Sequence, residues 1–510
     1  MYTSSIRSEI KEITEKAIKD LYKKEVEIKI ERPDAAFGDY ATNAAILLKK
    51  NPQEIRDAIK SDILEKTEVK NGFINFFISK AYLQNQVGEI LKQKDKFGNL
   101  KAGRGEKVNV EFISANPTGP LTLGNGRGGF CGDVLANILA KAGYKVEREY
   151  YVNNIGEQIK KLGHSVIGDS ETVYKGPYIE KMRKKIKGRD PGEVGEKAAA
   201  VILDKMIKPS VKKMGVKFDI WFFESNLQKE IGKALETLKK EGLIYEEAGA
   251  LWFKSTKFGD DKDRVLIKAD KGKTYFTSDI AYLKNKFKRG FKKLIYFLGA
   301  DHYGYVGRLR AVAQALGFKK EQVDVVIMQL VRLFSEGREM KMSKRTGIYI
   351  TIDELINEVG LDIARFFFLT RSPDTHLNFN LDLAKEQSEK NPVYYIQYAH
   401  ARICSILRKC KTKPATDNLN ILNHPTEIKL IKELMKLPEI VEDASKDYQV
   451  QRLPQYAMDL ATIFHQFYRD CQVISDNEDL TQARLALVSA AKIVLKNTLD
   501  LMGISAPEKM

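Results

Sequence analysis

The stretch from residue 107 to residue 130 constrains the fold more than any other part of the chain. Its apolar run from Val108 to Ile113 is typical of a buried strand, and a Pro-Thr-Gly-Pro turn at 117–120 interrupts that run. After Gly124 the apolar residues return at helical spacing. The sequence therefore predicts a strand, a tight turn and a helix in succession.

Four glycines stand at the predicted start of this helix: Gly124, Gly126, Gly128 and Gly129. A helix N-terminus presents unpaired amide groups and the positive end of the helix dipole, and glycines let an anion approach the backbone. We therefore expect a nucleotide phosphate at this turn. A purely structural glycine-rich loop remains open at this point.

The same glycines allow a second interpretation. Gly124, Gly126 and Gly129 satisfy G-x-G-x-x-G, and Glu149 lies about 20 residues further on, as the dinucleotide-binding fingerprint requires. In that fingerprint, however, the glycines follow the strand almost at once, whereas here the 117–120 turn intervenes. A dinucleotide-dependent oxidoreductase is therefore an alternative, but a disfavoured one.

The charge of the chain is strongly basic. Its 510 residues contain 85 Lys and Arg against 68 Asp and Glu, a net charge of +17, which makes a polyanionic partner plausible. The 4 cysteines form no C-x-x-C pair and the 6 histidines show no ligand spacing, so we expect no structural metal. No uncharged apolar run reaches the roughly 18 residues of a membrane span. We therefore expect a cytoplasmic protein without a membrane partner.

The remaining patterns divide the chain into three parts. Residues 1–100 mix helical stripes with strand patterns, including Val26–Ile30, and predict a small α+β domain. Residues 101–380 alternate strands and helices, which predicts a parallel sheet, with a charged and mostly helical insertion at about 165–265. Residues 381–510 predict an all-α bundle.

A compact basic segment, Lys341-Met-Ser-Lys-Arg-Thr-Gly, follows an apolar strand within residues 101–380. A basic loop is often only a solvated turn. Joined to a phosphate-binding turn on the same sheet, it supplies what a leaving pyrophosphate needs, namely two ammonium groups and a hydroxyl.

These two segments together carry a resemblance. Pro117-Thr-Gly-Pro-Leu-Thr-Leu-Gly-Asn and Lys341-Met-Ser-Lys-Arg resemble the two signatures of class I aminoacyl-tRNA synthetases. Within that class, Ser114-Ala-Asn-Pro, Gly299-Ala-Asp-His-Tyr-Gly and Asn391-Pro-Val-Tyr-Tyr-Ile-Gln-Tyr look like arginyl-tRNA synthetase. The resemblance extends through essentially the whole chain. It implies a Rossmann-type catalytic domain, an N-terminal domain and a helical domain that contact tRNA, and a monomer.

The implied activity is the ATP-dependent attachment of L-arginine to tRNA(Arg) through an arginyl-adenylate, with release of AMP and pyrophosphate. ATP enters as a substrate together with Mg²⁺. The resemblance places the nucleotide against Pro117, Gly119, Leu123, Gly124, Gly126, Met342 and Ser343, and the catalytic contacts at Thr122, Asn125, Lys341 and Lys344.

The first signature departs from the family pattern. The family has His-x-Gly-His, and the two histidine positions are Thr122 and Asn125 here. A hydroxyl and an amide can also donate hydrogen bonds to phosphate, although with a different reach. Because the loss of one transition-state donor can cost about a hundred- to a thousandfold in rate, a catalytically weakened RNA-binding relative is an open alternative.

The amino-acid pocket follows partly from chemistry. A guanidinium is a planar cation with five donors, which suits a carboxylate and an aromatic ring, and Tyr275 and Asp279 share one helix face at a spacing of four. The resemblance adds Glu111, Ser114, Asn116 and His302 to the pocket. It also assigns tRNA contacts to Asn71, Phe73, Tyr394, Tyr398, Arg402 and Met510.

Overall fold

The computed structural model describes residues 5–340 and 351–510. The N-terminal unit contains α1 (Ile6–Tyr22), β1 (Tyr40–Thr42), α2 (Ala44–Leu48), α3 (Pro52–Ala58), β2 (Leu64–Lys70), β3 (Phe73–Ile78) and α4 (Lys80–Gln93). Its three strands form an antiparallel sheet in the order β1-β3-β2. The small α+β fold expected for this part is the one observed.

The strand predicted at Val26–Ile30 does not form. Ile28 and Ile30 are buried, as their alternation predicted, but the segment makes no ladder with the described strands. The Ile28 amide donates instead to Glu15 Oε1 at 3.1 Å, and the Thr42 hydroxyl donates to the Lys29 carbonyl at 2.7 Å. Side chains thus satisfy backbone groups that a neighbouring strand would otherwise pair.

The middle of the chain forms an α/β core around a parallel sheet. Its elements are β4 (Lys107–Glu111), α5 (Leu123–Lys141), β5 (Lys145–Val152), α6 (Glu157–Ile167), α7 (Pro177–Lys185), α8 (Pro191–Ile202), α9 (Lys208–Lys213), β6 (Ile220–Phe223), α10 (Gln228–Lys240), β7 (Ile244–Glu247), β8 (Ala250–Phe253), β9 (Arg264–Ile267), α11 (Tyr275–Lys288), β10 (Lys293–Gly299), α12 (Tyr305–Ala315) and β11 (Val323–Met328). Five of the strands form a parallel sheet in the order β11-β10-β4-β5-β6. The carboxyl ends of neighbouring strands therefore meet at one edge, where open α/β sheets bind ligands.

The predicted insertion at about 165–265 differs from the expectation in one respect. It contains β6, which pairs in parallel with β5 and completes the central sheet. The same region also holds a separate antiparallel sheet, β7-β8-β9, so it is not mostly helical throughout. The short β6 lies among charged helices, and its four residues give too little periodicity to be recognised.

The rest of the chain is largely helical. It contains β12 (Val331–Ser335), β13 (Arg338–Met340), α13 (Ile352–Val359), α14 (Leu361–Leu369), β14 (Leu377–Asn380), α15 (Leu381–Lys385), α16 (Pro392–Lys409), α17 (Pro425–Leu434), α18 (Leu437–Asp447), α19 (Arg452–Asp470) and α20 (Glu478–Met502). The helices after residue 381 pack as the expected bundle, and the described helices include none long and apolar enough to cross a membrane.

Buried charges fix α5 against the bundle. Arg365 on α14 is 1% exposed, and its guanidinium donates to Asp133 on α5, to the Met214 carbonyl at 2.7 Å and to the Met502 carbonyl at 2.9 Å. A buried guanidinium with its donors satisfied holds its neighbours in one geometry, because removal of any acceptor would leave a desolvated charge. Arg365 therefore holds α5, the helix that begins at the glycine-rich turn, in a fixed position at Asp133.

Candidate active site

The turn after β4 leaves the strand in an unusual conformation. Ile113 and Ser114 both have positive φ, 65° and 39°. Such strain in residues with side chains costs about 1–3 kcal/mol each and concentrates at functional sites. The turn brings the Ser114 hydroxyl within 3.3 Å of Glu111 Oε1, and the Tyr151 amide donates to the same hydroxyl at 3.0 Å. Glu111 and Ser114 therefore meet at the carboxyl edge of the sheet.

Three carboxylates face one space at this edge. Asp279 lies on α11, and its Oδ2 is buried without a hydrogen-bond partner in the described parts of the chain. Burial, together with the negative charges of Glu224 and Glu111, raises the pKa of Asp279 to about 7, and Arg308 opposes the rise only in part. Burial also raises the pKa of Glu224, which directly follows β6. An unpaired carboxylate beside two others is a site for a cation.

An aromatic wall borders these carboxylates. Tyr275 stands at the start of α11 with 48% of its surface exposed, four residues before Asp279, as its spacing predicted. His302 lies three residues after the end of β10 and is exposed, and its ring lies 5.3 Å from that of Tyr305. The charge of Asp279 raises the pKa of Tyr305, after burial, so Tyr305 lies near the carboxylate. Exposed rings beside buried carboxylates suit a planar cation.

Thr122 and Asn125 form one hydrogen-bonded unit. Asn125 Oδ1 accepts from the Thr122 amide at 3.0 Å and from the Thr122 hydroxyl at 2.9 Å. Thr122 is the N-cap of α5, so both side chains sit where the helix presents its unpaired amides. The Asn125 oxygen is thereby directed inward, which leaves its NH₂ group as a donor for a ligand.

Some residues around this cap pack against the rest of the protein, and others leave the backbone accessible to a ligand. Pro117 and Leu123 are buried, and a side chain at Gly119 would lie 3.1 Å from the Tyr178 hydroxyl oxygen. A Cβ at Gly126 would lie 2.5 Å from Ile352, so this glycine permits close packing of α5. Gly124 is exposed and has open space around it. Of these glycines, Gly124 is the one that leaves the backbone open to an anion.

Neighbouring segments hold this helix start in place. Arg127 is 0% exposed, and its Nη1 donates to the carbonyls of Gln329 at 2.9 Å and Thr375 at 2.7 Å. Thr351 forms an antiparallel bridge with Thr122. The predicted residues Lys341, Met342, Ser343 and Lys344 lie outside the described residues, which resume at Thr351 beside the helix cap.

Glu149 has a different place from the one that a dinucleotide fingerprint requires. It is 0% exposed, accepts from Asn109 Nδ2 at 3.0 Å, and is paired with Tyr282 and Arg289. A carboxylate enclosed in this way cannot bind a ribose hydroxyl. The oxidoreductase alternative therefore lacks the acidic residue that would bind the ribose of a dinucleotide.

Two further regions contain the predicted tRNA contacts. Asn71 and Phe73 border a cavity of about 340 Å³ in the N-terminal unit, together with Lys29, Arg32, Phe37 and Lys70. Asn71 and Gly72 both have positive φ, 52° and 81°, as a two-residue hairpin turn requires. The cavity thus combines cations, a ring and amides on a rigid hairpin.

The second region lies on the bundle. The rings of Tyr394 and Tyr398 stack at 6.5 Å, and the Arg402 guanidinium lies 4.7 Å from the Tyr398 ring and 5.1 Å from that of Tyr468. Tyr398 and Tyr468 are 39% and 41% exposed. Exposed rings backed by a guanidinium suit stacking of unpaired bases.

The chain terminus packs against α16, the helix that carries Tyr394, Tyr398 and Arg402. Met510 is exposed, and the segment before it is fixed because Arg408 donates to the Glu508 carbonyl and His400 contacts the Pro507 carbonyl, both at 2.9 Å. The predicted residues Asn71 and Phe73 lie in the N-terminal unit and are not part of this cluster.

Sequence reasoning missed part of the site. Glu224, Tyr305, Arg308 and Tyr468 were not among the predicted residues, although the structure brings each beside a predicted one. The signal for Glu224 was its position directly after a strand, but that strand, β6, was hidden in the charged region. Asn116 was predicted in the pocket; the structure places it exposed in the turn after Ser114.

Comparisons with known proteins agree with this arrangement. Three family profiles match the chain: "Arginyl tRNA synthetase N terminal domain" over residues 4–78, "tRNA synthetases class I (R), catalytic domain" over 169–378 and "DALR anticodon binding domain" over 396–510. The arginine–tRNA ligase of Carboxydothermus hydrogenoformans is 44% identical, with 95% of both chains covered. That of Bacillus subtilis is 43% identical, with 94% of this chain and 93% of the relative covered.

A solved structure shares the fold. The arginyl-tRNA synthetase of Thermus thermophilus superposes with a TM-score of 0.82 at 23% identity and covers 99% of this chain and 100% of its own. The profiles, the relatives and the shared fold lead to one conclusion: this chain belongs to the arginyl-tRNA synthetase family of class I aminoacyl-tRNA synthetases.

Proposed function

We propose that this chain joins L-arginine to tRNA(Arg) at the expense of ATP. The arginine carboxylate attacks the α-phosphate of ATP, pyrophosphate leaves, and a terminal ribose hydroxyl of the tRNA then captures the arginyl group while AMP leaves. Neither step needs a covalent bond to the protein, so the side chains act by positioning and by charge stabilisation. The named relatives and the carboxylate-lined pocket, which suits a cation, support this proposal.

The carboxylate pocket carries the proposal for the substrate. Asp279 and Glu224 would pair with the guanidinium, because Asp279 Oδ2 is buried without a partner among the described residues. Tyr275 would cover its face and Glu111 Oε1, beside Ser114, would accept from the α-ammonium group. A neutral analogue such as citrulline would leave the carboxylates unpaired and is expected to be rejected strongly.

The helix cap carries the proposal for ATP. The exposed backbone at Gly124 and the NH₂ group of Asn125 would donate to the phosphates, and Thr122 would hold Asn125 in orientation. Lys341, Ser343 and Lys344 would meet the charge on the leaving pyrophosphate. Their segment is followed by Thr351, which pairs with Thr122, so chain connectivity supports action at the same ligand.

Mg²⁺ would enter bound to the phosphates of ATP, where it supplies neutralising charge. Among residues 5–340 and 351–510 no group of three or more His, Cys, Asp or Glu side chains is arranged to hold a metal ion. We further propose a cytoplasmic monomer with domains at 1–100, 101–380 and 381–510. The family profiles fall inside these three ranges.

For tRNA, we propose two separate contacts. The exposed rings of Tyr398 and Tyr468 beside Arg402, with Tyr394 stacked on Tyr398, would stack on anticodon bases, and the chain end at Met510 would border them. Asn71 and Phe73 would meet a base of another loop of the tRNA in the N-terminal cavity.

Pyrophosphate exchange tests this proposal. Purified protein is assayed with ATP, with and without tRNA(Arg), and with arginine, lysine or citrulline as the amino acid. Exchange that depends on arginine alone supports the proposed pocket. Exchange that is equally fast with lysine or citrulline would show that the carboxylates do not select a guanidinium.

A further inference from the structure

We infer that Lys286 and Tyr282, one turn apart on α11, are positioning residues that fix which oxygen of Glu111 faces the amino-acid pocket. Both side chains contact Glu111 Oε2, whereas Ser114 contacts Oε1. The inference rests on the proposed role of Glu111 in arginine binding and extends it to a second layer of residues.

Lys286 is the main contact. Its side chain is 0% exposed, and its ammonium nitrogen lies 2.6 Å from Glu111 Oε2. The same nitrogen lies 4.4 Å from the ring centre of Tyr282 and 4.2 Å from that of Tyr296. The two rings restrict the ammonium group to one place, so it can hold Glu111 in one orientation.

Tyr282 supplies one proton to two possible acceptors. Its hydroxyl lies 2.9 Å from Glu111 Oε2 and also contacts Glu149 Oε1. Asn109 and Arg289 fix the other oxygen of Glu149. Because a hydroxyl donates a single proton, Tyr282 cannot satisfy both carboxylates at once. Lys286 is therefore the constant partner of Glu111 Oε2, and Tyr282 holds the same oxygen whenever its proton is not donated to Glu149.

The consequence concerns the second oxygen of Glu111. With Oε2 bound to Lys286, Oε1 is turned toward Ser114, whose hydroxyl lies 3.3 Å away at the strained turn. Without Lys286, a buried Glu111 would lose its counter-charge and would turn toward another donor or bind a proton. Either change removes the acceptor offered to the α-ammonium group of arginine. The effect should therefore fall on arginine and not on ATP.

Four variants test the inference in arginine-dependent pyrophosphate exchange at saturating tRNA(Arg). Glu111→Gln tests the pocket itself, and Lys286→Met tests the positioning role. Lys284→Met is the matched control on the same helix, because Lys284 Nζ donates to the Lys233 carbonyl and to Thr237, and makes no contact with Glu111 in the described structure. The fourth variant combines Glu111→Gln with Lys286→Met.

We expect Glu111→Gln and Lys286→Met each to raise the KM for arginine at least about tenfold, with the KM for ATP changed less than about twofold. Because Lys286 acts through Glu111, the double variant should show the same KM as Glu111→Gln alone. Lys284→Met should behave as the parent. The thermal midpoint of each variant, measured in parallel, separates folding from binding.

Three results would overturn the inference: an unchanged arginine KM in Lys286→Met, an equal rise for ATP, or effects that multiply in the double variant. If Glu111→Gln itself leaves the arginine KM unchanged, the pocket assignment fails and the positioning role falls with it. Should Lys286→Met not fold, Tyr282→Phe provides the second route. It should raise the arginine KM in the parent and have no effect in the Glu111→Gln background, and any other pattern refutes the coupling.

Discussion

Asn125 Oδ1 accepts hydrogen bonds from both the amide and the hydroxyl of Thr122, at 3.0 and 2.9 Å. By resemblance the two residues occupy the positions of the signature histidines, and the bonds use the oxygen of Asn125 and not its NH₂ group. We propose that the pair substitutes for the histidines, with Asn125 as the donor and Thr122 as its support.

This relationship predicts unequal effects at the two positions. Asn125→Ala should slow pyrophosphate exchange by about a hundredfold, since a transition-state donor is lost, and Thr122→Ala should slow it less. Restoring histidine at both positions should be neutral or harmful, because a misplacement of about 1 Å can cost roughly two orders of magnitude. Asn477→Ala, which removes the cap of α20, is the control for the stability cost of a lost cap. Parent-like exchange in the Thr122→Ala, Asn125→Ala double variant would mark a degenerate site.

The raised pKa of Asp279 predicts that removing its charge increases the stability of the fold and decreases the affinity for arginine. Its folded-state pKa of about 7 exceeds its usual 3.8, so the stability that its protonated form contributes is lost as pH rises through 7. Asp279→Asn should therefore be more stable than the parent at pH 8, by about 2–4 kcal/mol, with a gap that shrinks toward pH 4. The same variant should bind arginine about 2–4 kcal/mol more weakly. Chemical denaturation and equilibrium dialysis measure the two effects, and the exposed Asp301→Asn is the control.

Arginine binding should also release a proton. At pH 6 Asp279 is mostly protonated in the free protein, and a bound guanidinium favours its charged form. Calorimetry in buffers of different ionisation enthalpy should show about one proton released per arginine at pH 6 and almost none at pH 8.5. Arginine affinity should rise with pH up to about 7 and then level off. A release that persists in Asp279→Asn would assign the proton to another group.

The aromatic cluster on the bundle predicts a defect confined to tRNA. Tyr398→Ala and Arg402→Ala should each raise the KM for tRNA about tenfold or more, because a stacked base is worth about 1–3 kcal/mol. Arginine-dependent exchange at saturating tRNA should stay unchanged. Lys496→Ala, which removes a bundle lysine paired with Asp500, is the matched control. A similar loss in the control would point to general charge attraction in place of a defined base site.

Much of the fold could be predicted because several of its strands are long or apolar. The pattern is clear enough to predict the parallel sheet and its ligand-binding edge in three segments: Val108–Ile113, Lys145–Val152 and β10. The short β6 carries too little pattern, and with it Glu224 was lost from the predicted pocket. Val26–Ile30 has a strand pattern but no strand, since side chains satisfy its backbone.

The site shows a similar division. Tyr275 and Asp279 could be predicted because a guanidinium requires their chemistry and a helix sets their spacing. The functions of the glycines could not be separated, because only the folded chain shows that Gly126 meets Ile352 while Gly124 stays open. The second layer beneath Glu111 joins residues far apart in sequence, and no local pattern connects Lys286 to Glu111.

Arginylation by the purified full-length chain tests the central claim most directly. Radiolabelled arginine, ATP and Mg²⁺ are incubated with tRNA(Arg) or with a non-cognate tRNA, and the label attached to RNA is counted over time. An active ligase should charge tRNA(Arg) over many turnovers and leave the non-cognate tRNA uncharged. Tight binding of tRNA(Arg) without any attached arginine would contradict the account and would identify the chain as an RNA-binding relative that has lost catalysis.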